Sequence, residues 1–371
     1  MTRFRSRTLA SALALATVLG GAAAWADVTI GAGLVLSGGN APYGLQERRG
    51  VEAAVEAINA AGGVNGEKIK VVFGDDAGDP RQAVQVANQL VNDKVAAVVG
   101  HTLSGATVAA AAVYDEEGVI MITPSATAVD LTEKGYKTIF RTVVRDDQQG
   151  KVAGTYIAQN FKDKKIAFVQ DSTTYGKGLA DATKAVVNAA GVKEAAYETI
   201  TPGELDYSAT ISKLKSDGID VVYYGGLYNE AGLLLRQMRD QGLKAQFISG
   251  DGLYAQDFWS IVGPAGEGVL LTIDNPPETN PAAKEVVDAL KAKNIDPAGY
   301  TLYAYAAVQV WAEAAKKAGS TDPEKVAAAL HDGTPYKTVL GNIAYDAKGD
   351  RTTSGYALFR RTAAGGFDPV K

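Results

Sequence analysis

Ser104 stands three residues after His101, one of only two histidines in the chain (the other is His331). A Ser–His pair is the minimum needed for nucleophilic acyl chemistry. No G-x-S-x-G elbow surrounds Ser104 or Ser125, however. A histidine at the end of a buried strand more often orients a loop than activates a hydroxyl. The absence of cysteine removes thiol nucleophiles, disulfides and Cys-ligated zinc. Two histidines are too few for a His-rich metal centre, which leaves only all-carboxylate coordination open. A dinucleotide fingerprint fails because Gly31 and Gly33 fall inside a strand and Leu36 stands where the third glycine belongs. A P-loop ending at Gly176-Lys177 would need a glycine at Asp171 and Ser or Thr at Gly178. The sequence therefore implies no cofactor.

Binding chemistry is better staffed. Ser104 follows an apolar strand and starts an alanine-rich helix, and Thr127 precedes Ala128–Leu131 in a similar way. Two such helix starts offer hydroxyls and free N–H groups to a carboxylate, or the two residues are plain N-caps. Asp251, in Ser249-Gly250-Asp251-Gly252, is either an Asp-Gly turn residue or a cleft carboxylate for an ammonium group. Glu230, after Asn229, reads as a first-turn helix acid. Tyr43, Tyr175 and Tyr228 each fall on a post-strand loop, where an aromatic can cover a ligand.

These residues need a scaffold, and the apolar periodicity supplies one. Strands are expected at Val28–Leu36, Lys68–Phe73, Val95–Gly100, Val119–Thr123, Ile139–Val144, Lys165–Val169, Val221–Tyr224, Gln246–Ser249 and Val269–Ile273. Between them the spacing predicts helices over Gln46–Ala61, from Asp79-Pro80 onward, and over Ser104–Glu117, Gly178–Ala190, Tyr207–Ser216 and Glu230–Gln241. Continuous apolar strands alternating with amphipathic helices indicate α/β lobes built on parallel sheets covered on both faces. The rhythm restarts near residue 145. After Asn275-Pro276-Pro277 the chain carries the helices Ala282–Lys293, Leu302–Ala318 and Pro323–Leu330, then a β-like finish at Gly341–Asp346 and Tyr356–Arg360. That break reads as a crossing from one lobe back to the other. Ligands of open parallel sheets bind beyond the carboxyl ends of the strands, and the loops there are rich in Ser, Thr, Tyr and Gly with few charges. Such loops hydrogen-bond a small polar ligand well and catalyse little.

The 371 residues are 46% hydrophobic and 21% charged, a composition that fits two ordinary domains. Residues 1–26 read as a signal peptide. Arg3, Arg5 and Arg7 form a basic start, Leu9–Ala24 an apolar run, and Ala24-Trp25-Ala26 a cleavage pattern before Asp27. The apolar run is shorter than the roughly 20 residues of a spanning helix. The net charge of −5 becomes more negative when the arginines of this leader are removed. An exported acidic protein is a poor partner for nucleic acid.

The order of these residues resembles the periplasmic branched-chain amino-acid-binding proteins (Leu/Ile/Val-binding type) of ABC importers over nearly the whole mature chain. The resemblance is carried by Tyr43-Gly44, Gly62-Gly63-Val64-Asn65-Gly66, Asp75-Asp76-Ala77-Gly78-Asp79-Pro80, Gly100-His101, Met121-Ile122-Thr123-Pro124-Ser125-Ala126-Thr127, Tyr175-Gly176, Tyr223-Tyr224-Gly225-Gly226 and Tyr305-Ala306-Ala307. It implies a type I periplasmic binding protein, with two doubly wound lobes joined by a three-segment hinge. Residues 27–145 with 274–350 would form the first lobe, and 146–273 with 351–371 the second. It also implies a ligand α-carboxylate on Ser104, Thr127 and the backbone at Ser125, and an ammonium on Asp251, where the best-known members carry Glu. Tyr43 and Tyr175 would close over the ligand, while Leu103 and Tyr300 would line its side-chain pocket. Three positions depart from the family. The tyrosine after Gly-Gly is Leu227, with Tyr228 one place later; Asp251 is shorter by a methylene; and a disulfide that joins the Gly78 and Leu103 loops in some relatives is absent. The implied protein is a periplasmic, non-enzymatic monomer that delivers an amino acid to membrane permease subunits. GABA, amide, urea or aromatic-acid ligands stay open within the class, as do a secreted hydrolase or a sensor domain outside it.

Overall fold

The computed structural model describes residues 27–274, 276–353 and 355–370; the expected signal peptide lies outside them. The first five strands are β1 (Asp27–Leu34), β2 (Lys68–Asp75), β3 (Ala97–Gly100), β4 (Ile120–Thr123) and β5 (Ile139–Arg141). They form a parallel sheet in the order β2-β1-β3-β4-β5. Helices α1 (Ala41–Ala60), α2 (Pro80–Asn92) and α3 (Ser104–Glu116) connect β1 to β4. One face of this sheet packs on α2 and α3 through Ala83, Leu90, Ala106 and Tyr114. The other packs on α1 through Val51 and Ala54. β3 and β4 are buried along their whole length, which is why they read as unbroken apolar runs.

The second sheet begins after α4 (Asp146–Asn160). Its parallel part comprises β6 (Ile166–Gln170), β7 (Ala196–Thr199), β8 (Val221–Gly225), β9 (Gln246–Ser249) and β10 (Leu270–Asp274). Its helices are α5 (Thr174–Ala189), α6 (Ser208–Ser216), α7 (Tyr228–Asp240) and α8 (Gln256–Val262). After β10 the chain returns to the first lobe. There α9 (Lys284–Ala292), α10 (Thr301–Ala318) and α11 (Pro323–His331) share the core of α1 through Trp311, Leu302 and Leu330. A small ribbon, β11 (Tyr336–Thr338) with β12 (Gly341–Ile343), completes that return. β13 (Tyr356–Arg361) and β14 (Phe367–Pro369) then add antiparallel strands to the second sheet, giving the order β14-β13-β10-β9-β8-β6-β7. Three chain segments thus cross between the lobes: β5 to α4, the stretch after β10, and β12 to β13.

Four helix starts differ from the sequence expectation. α1, α5 and α7 begin earlier, at Ala41, Thr174 and Tyr228, so Tyr43, Tyr175 and Tyr228 lie in helical first turns and not on loops. Glycine made these stretches look like loops. A Cβ on Gly44 would sit 2.0 Å from the Val35 carbonyl oxygen, and one on Gly176 would sit 2.1 Å from Asp171 Oδ1, so glycine is there to let the helices approach their strands. Thr127 does not start a helix; only the 3-10 turn Val129–Leu131 follows it. The sequence periodicity gives no helix at Asp146–Asn160, a weakly amphipathic stretch that packs on α5 and on the paired strands β10 and β13.

Candidate functional site

In the first lobe the chain leaves buried β3 and enters α3 with Leu103 at the N-cap and Ser104 as the first helical residue. Ser104 therefore does not cap the helix. Its Oγ accepts a hydrogen bond from Ala128 N at 3.3 Å. Leu103 offers no side-chain acceptor to the first-turn N–H groups, so these remain available to an anion in the cleft. Behind them, Ser125 Oγ donates to Thr102 O at 2.7 Å, and Thr102 Oγ1 donates to Glu47 Oε2 at 2.6 Å. Glu47 is wholly buried, and burial pushes its carboxyl up to about 8. His101 is also fully buried, with Nδ1 2.6 Å from Asp76 Oδ2 and Nε2 3.0 Å from the Tyr114 hydroxyl. Both ring nitrogens are engaged, and neither activates Ser104. The loops of Gly78 and Leu103 meet by packing: a Cβ on Gly78 would lie 2.8 Å from Leu103 Cδ1.

The second lobe presents α5, capped by Thr173, whose Oγ1 accepts from Gly176 N at 2.9 Å. The Tyr175 hydroxyl donates to Asp251 Oδ1 at 2.9 Å and accepts from Gly252 N at 2.9 Å. Asp251 opens a 3-10 turn directly after β9 and Gly250. Its carboxylate also accepts from Gln149 Nε2 at 3.0 Å and from the Tyr356 hydroxyl at 3.1 Å. Burial raises the Asp251 carboxyl, and these donors only partly offset that. Every partner is neutral; Asp251 joins no ion pair among the described residues.

Between the lobes lies a cavity of about 290 Å³. Six of the nine sequence candidates line it: Tyr43, Leu103, Ser104, Ser125, Tyr175 and Tyr300. Leu227 and Gly252 add further wall from the second lobe. Asp251 sits immediately behind this wall, reached through Tyr175 and Gly252. Thr127 is buried, and its hydroxyl has no partner of good hydrogen-bond geometry. Tyr228 bridges the lobes: its hydroxyl donates to Gly39 O at 2.9 Å and its ring meets Tyr43 edge-on at 5.1 Å. Tyr43 spans the cleft as well, donating to Gly252 O at 2.5 Å. Glu230 lies apart, accepting from Gly203 N at 3.1 Å. Sequence reasoning missed Thr102, Gln149 and Tyr356. Thr102 lies in the same post-strand loop as Leu103 and Ser104 and was legible by position, whereas Gln149 and Tyr356 carry no local motif because α4 and β13 bring them from far along the chain. Among the described residues no group of acidic, His or Cys side chains is arranged to hold a metal, and no helix is long and apolar enough to cross a membrane.

The family model described as "Periplasmic binding protein" matches residues 27–366. The Leu/Ile/Val-binding protein homolog 1 of Brucella melitensis is 52% identical, covering 95% of this chain and 96% of its own length. A leucine-binding protein, LivK, from Thermotoga maritima superposes with a TM-score of 0.86 at 28% identity, covering 93% of this chain and 98% of its own. The branched-chain amino acid transporter substrate-binding protein LivJ from Streptococcus pneumoniae, in complex with isoleucine, gives 0.83 at 31% identity, covering 93% of this chain and 99% of its own. With the cleft, the three crossings and all of both lobes but the last edge strand inside the matched span, the chain belongs to the periplasmic binding protein family.

Proposed function

We propose that this protein captures an α-amino acid of the Leu/Ile/Val type in the periplasm and delivers it to the membrane subunits of an ABC importer. The observation that carries this reading is the pairing across one cavity of unlike ends. Open first-turn N–H groups of α3 stand on one side, and on the other the wall of Tyr175 and Gly252 with the buried Asp251 directly behind it. An α-amino acid carries the two charges these ends would accept, and Leu103, Leu227, Tyr43 and Tyr300 would meet its apolar side chain. Ser104, Thr127 and Ser125 belong to the carboxylate end of this reading, with Asp251 and Tyr175 at the ammonium end. The names of the Brucella, Thermotoga and Streptococcus relatives support the ligand class. The lobes are divided at 27–145 with 274–350 and 146–273 with 351–371, and they close by hinge rotation about the three crossings. Catalysis has no part in it, since the hydroxyl of Ser104 has no base and His101 is committed to Asp76 and Tyr114.

Calorimetry against the twenty amino acids and GABA tests the reading. The expected result is stoichiometric uptake, tightest for leucine, isoleucine or valine, with no turnover of a chromogenic ester. Preference for GABA or an aromatic acid over all three would overturn the ligand class.

A further inference from the structure

Asp146 opens α4 and Asp251 opens the turn after β9, and both side chains are buried. A single amide spans them: Gln149 Nε2 lies 3.0 Å from Asp251 Oδ1 and 3.3 Å from Asp146 Oδ1. The same Gln149 fixes the turn through Oε1, which accepts from Asp251 N at 2.7 Å and from Thr272 Oγ1 at 2.6 Å. Neither the buried Asp146 Oδ2 nor the buried Thr127 hydroxyl has a partner of good hydrogen-bond geometry, and the Thr127 carbonyl receives the Asp146 N–H at 3.0 Å.

The titratable groups facing this pair are Arg141, Asp147, Tyr43, Tyr175, Tyr223, Tyr300, Tyr303 and Tyr356. Burial holds all six tyrosines above the usual phenol range, so they stay neutral. Arg141 is the one cation among them, and it is occupied. It lies 2.7 Å from Asp350 and donates to the carbonyls of Ala126 and Ala128 and to Thr132 Oγ1. Two buried carboxylates bridged by one amide, with only the Tyr175 and Tyr356 hydroxyls besides on Asp251 and no cation of their own among the described residues, are costly to keep ionised together. Both carboxyls are in fact held above the usual carboxylate range, by burial first, and for Asp146 by the charge of Asp251 next. The Thr127 hydroxyl favours the ionised form of Asp146, but burial and the charge of Asp251 outweigh it.

From this arrangement we infer that the unliganded protein carries one proton on the Asp146–Asp251 pair, and that the ammonium group of the ligand displaces it. The inference rests on the proposed amino-acid ligand. The exchange balances: protonated pair plus ligand ammonium gives the ionised pair holding the ammonium, and the proton passes to the buffer. Asp146 acts through Asp251 and Gln149 and is a positioning residue. As a pair, the two acids share the proton, and the titration belongs to both.

Calorimetric titration of the full protein with L-leucine in two buffers of different ionisation enthalpy counts the protons released. About one proton per leucine is expected on the acid side of the pair's own titration, and there affinity should rise by up to tenfold per pH unit. The Asp146→Asn variant should bind leucine with nearly no proton release and a flat pH profile. Leucine binding by the wild-type protein without proton release would overturn the inference, and that measurement needs no variant. Equal proton release by Asp146→Asn would overturn it too. Failure of every amino acid to bind would defeat the functional reading, and this inference with it.

Discussion

A carboxylate taken out of water without a cation is tolerated only where donors surround it or a cation arrives to meet it. Asp251 has three neutral donors, Gln149, Tyr175 and Tyr356, and no basic partner among the described residues. If it receives the ligand ammonium, Asp251→Asn should cost ~3–5 kcal/mol of binding, the loss expected when one member of a buried pair is removed. That is more than a hundredfold in dissociation constant. A turn residue would accept Asn with little change, so titration with leucine separates the two roles. Glu47 allows a second test that needs no ligand. Its carboxyl is raised from 4.5 to about 8 by burial. Between those values the folded protein holds a proton that the unfolded chain has lost, so the Glu47 contribution is complete below about 4.5 and is lost as pH rises through about 8. Glu47→Gln mimics the neutral form. Its melting temperature should match the wild type near pH 4.5 and exceed it increasingly toward pH 8; parallel curves would show that Glu47 is ionised throughout.

At the scale of elements, the site depends on helices that approach closer than side chains ordinarily permit. α1 carries Tyr43 and Glu47, and its position is set against α10 at Gly50. A Cβ there would lie 2.0 Å from the Thr301 carbonyl oxygen. Gly50→Ala should therefore destabilise the fold by ~1–3 kcal/mol, the usual cost of overpacking, even though alanine is the better helix former. Chemical denaturation measures it, and a stabilised variant would mean that the two helices have room to spare. The same logic explains why the starts of α1 and α5 were misread from sequence. Glycine lowers intrinsic helix propensity, but at Gly44 and Gly176 the tertiary gain in closeness outweighs that cost.

Across the whole molecule, one side chain ties the three crossings together. Arg351, on the third, donates through Nη1 to Thr142 O on the first at 2.8 Å and to Asp274 Oδ2 at the second, also at 2.8 Å. Asp350 beside it pairs with Arg145 at 2.9 Å. Arg351→Met leaves the Asp274 carboxylate nearly buried and alone, so it should lower stability by ~3–5 kcal/mol. The double variant with Asp274→Leu should recover most of that, because a well-packed apolar pair replaces a buried ionic one at little cost. Thermal unfolding of the three proteins checks this; equal losses in the single and double variants would show that the arginine acts through Thr142 instead.

The alternation of buried strands with amphipathic helices is a local property of the chain, and it was enough to read two parallel α/β lobes and the restart near residue 145. Residues just past strand ends were legible for the same reason: topology puts strand ends at the cleft, so Ser104 and Tyr175, which line the cavity, could be named from position, whereas Ser125 came through the family resemblance. Tertiary structure decided what no window of sequence contains. Gln149 and Asp251 are 102 residues apart, and Tyr356 and Asp251 are 105 apart. Their meeting depends on α4 and β13 packing beside β10, an arrangement set by summed burial over the whole second lobe and not by any short motif. The ionisation of Asp146, Asp251 and Glu47 is likewise a property of their surroundings, since the same side chains in an unfolded chain would titrate in the ordinary carboxylate range.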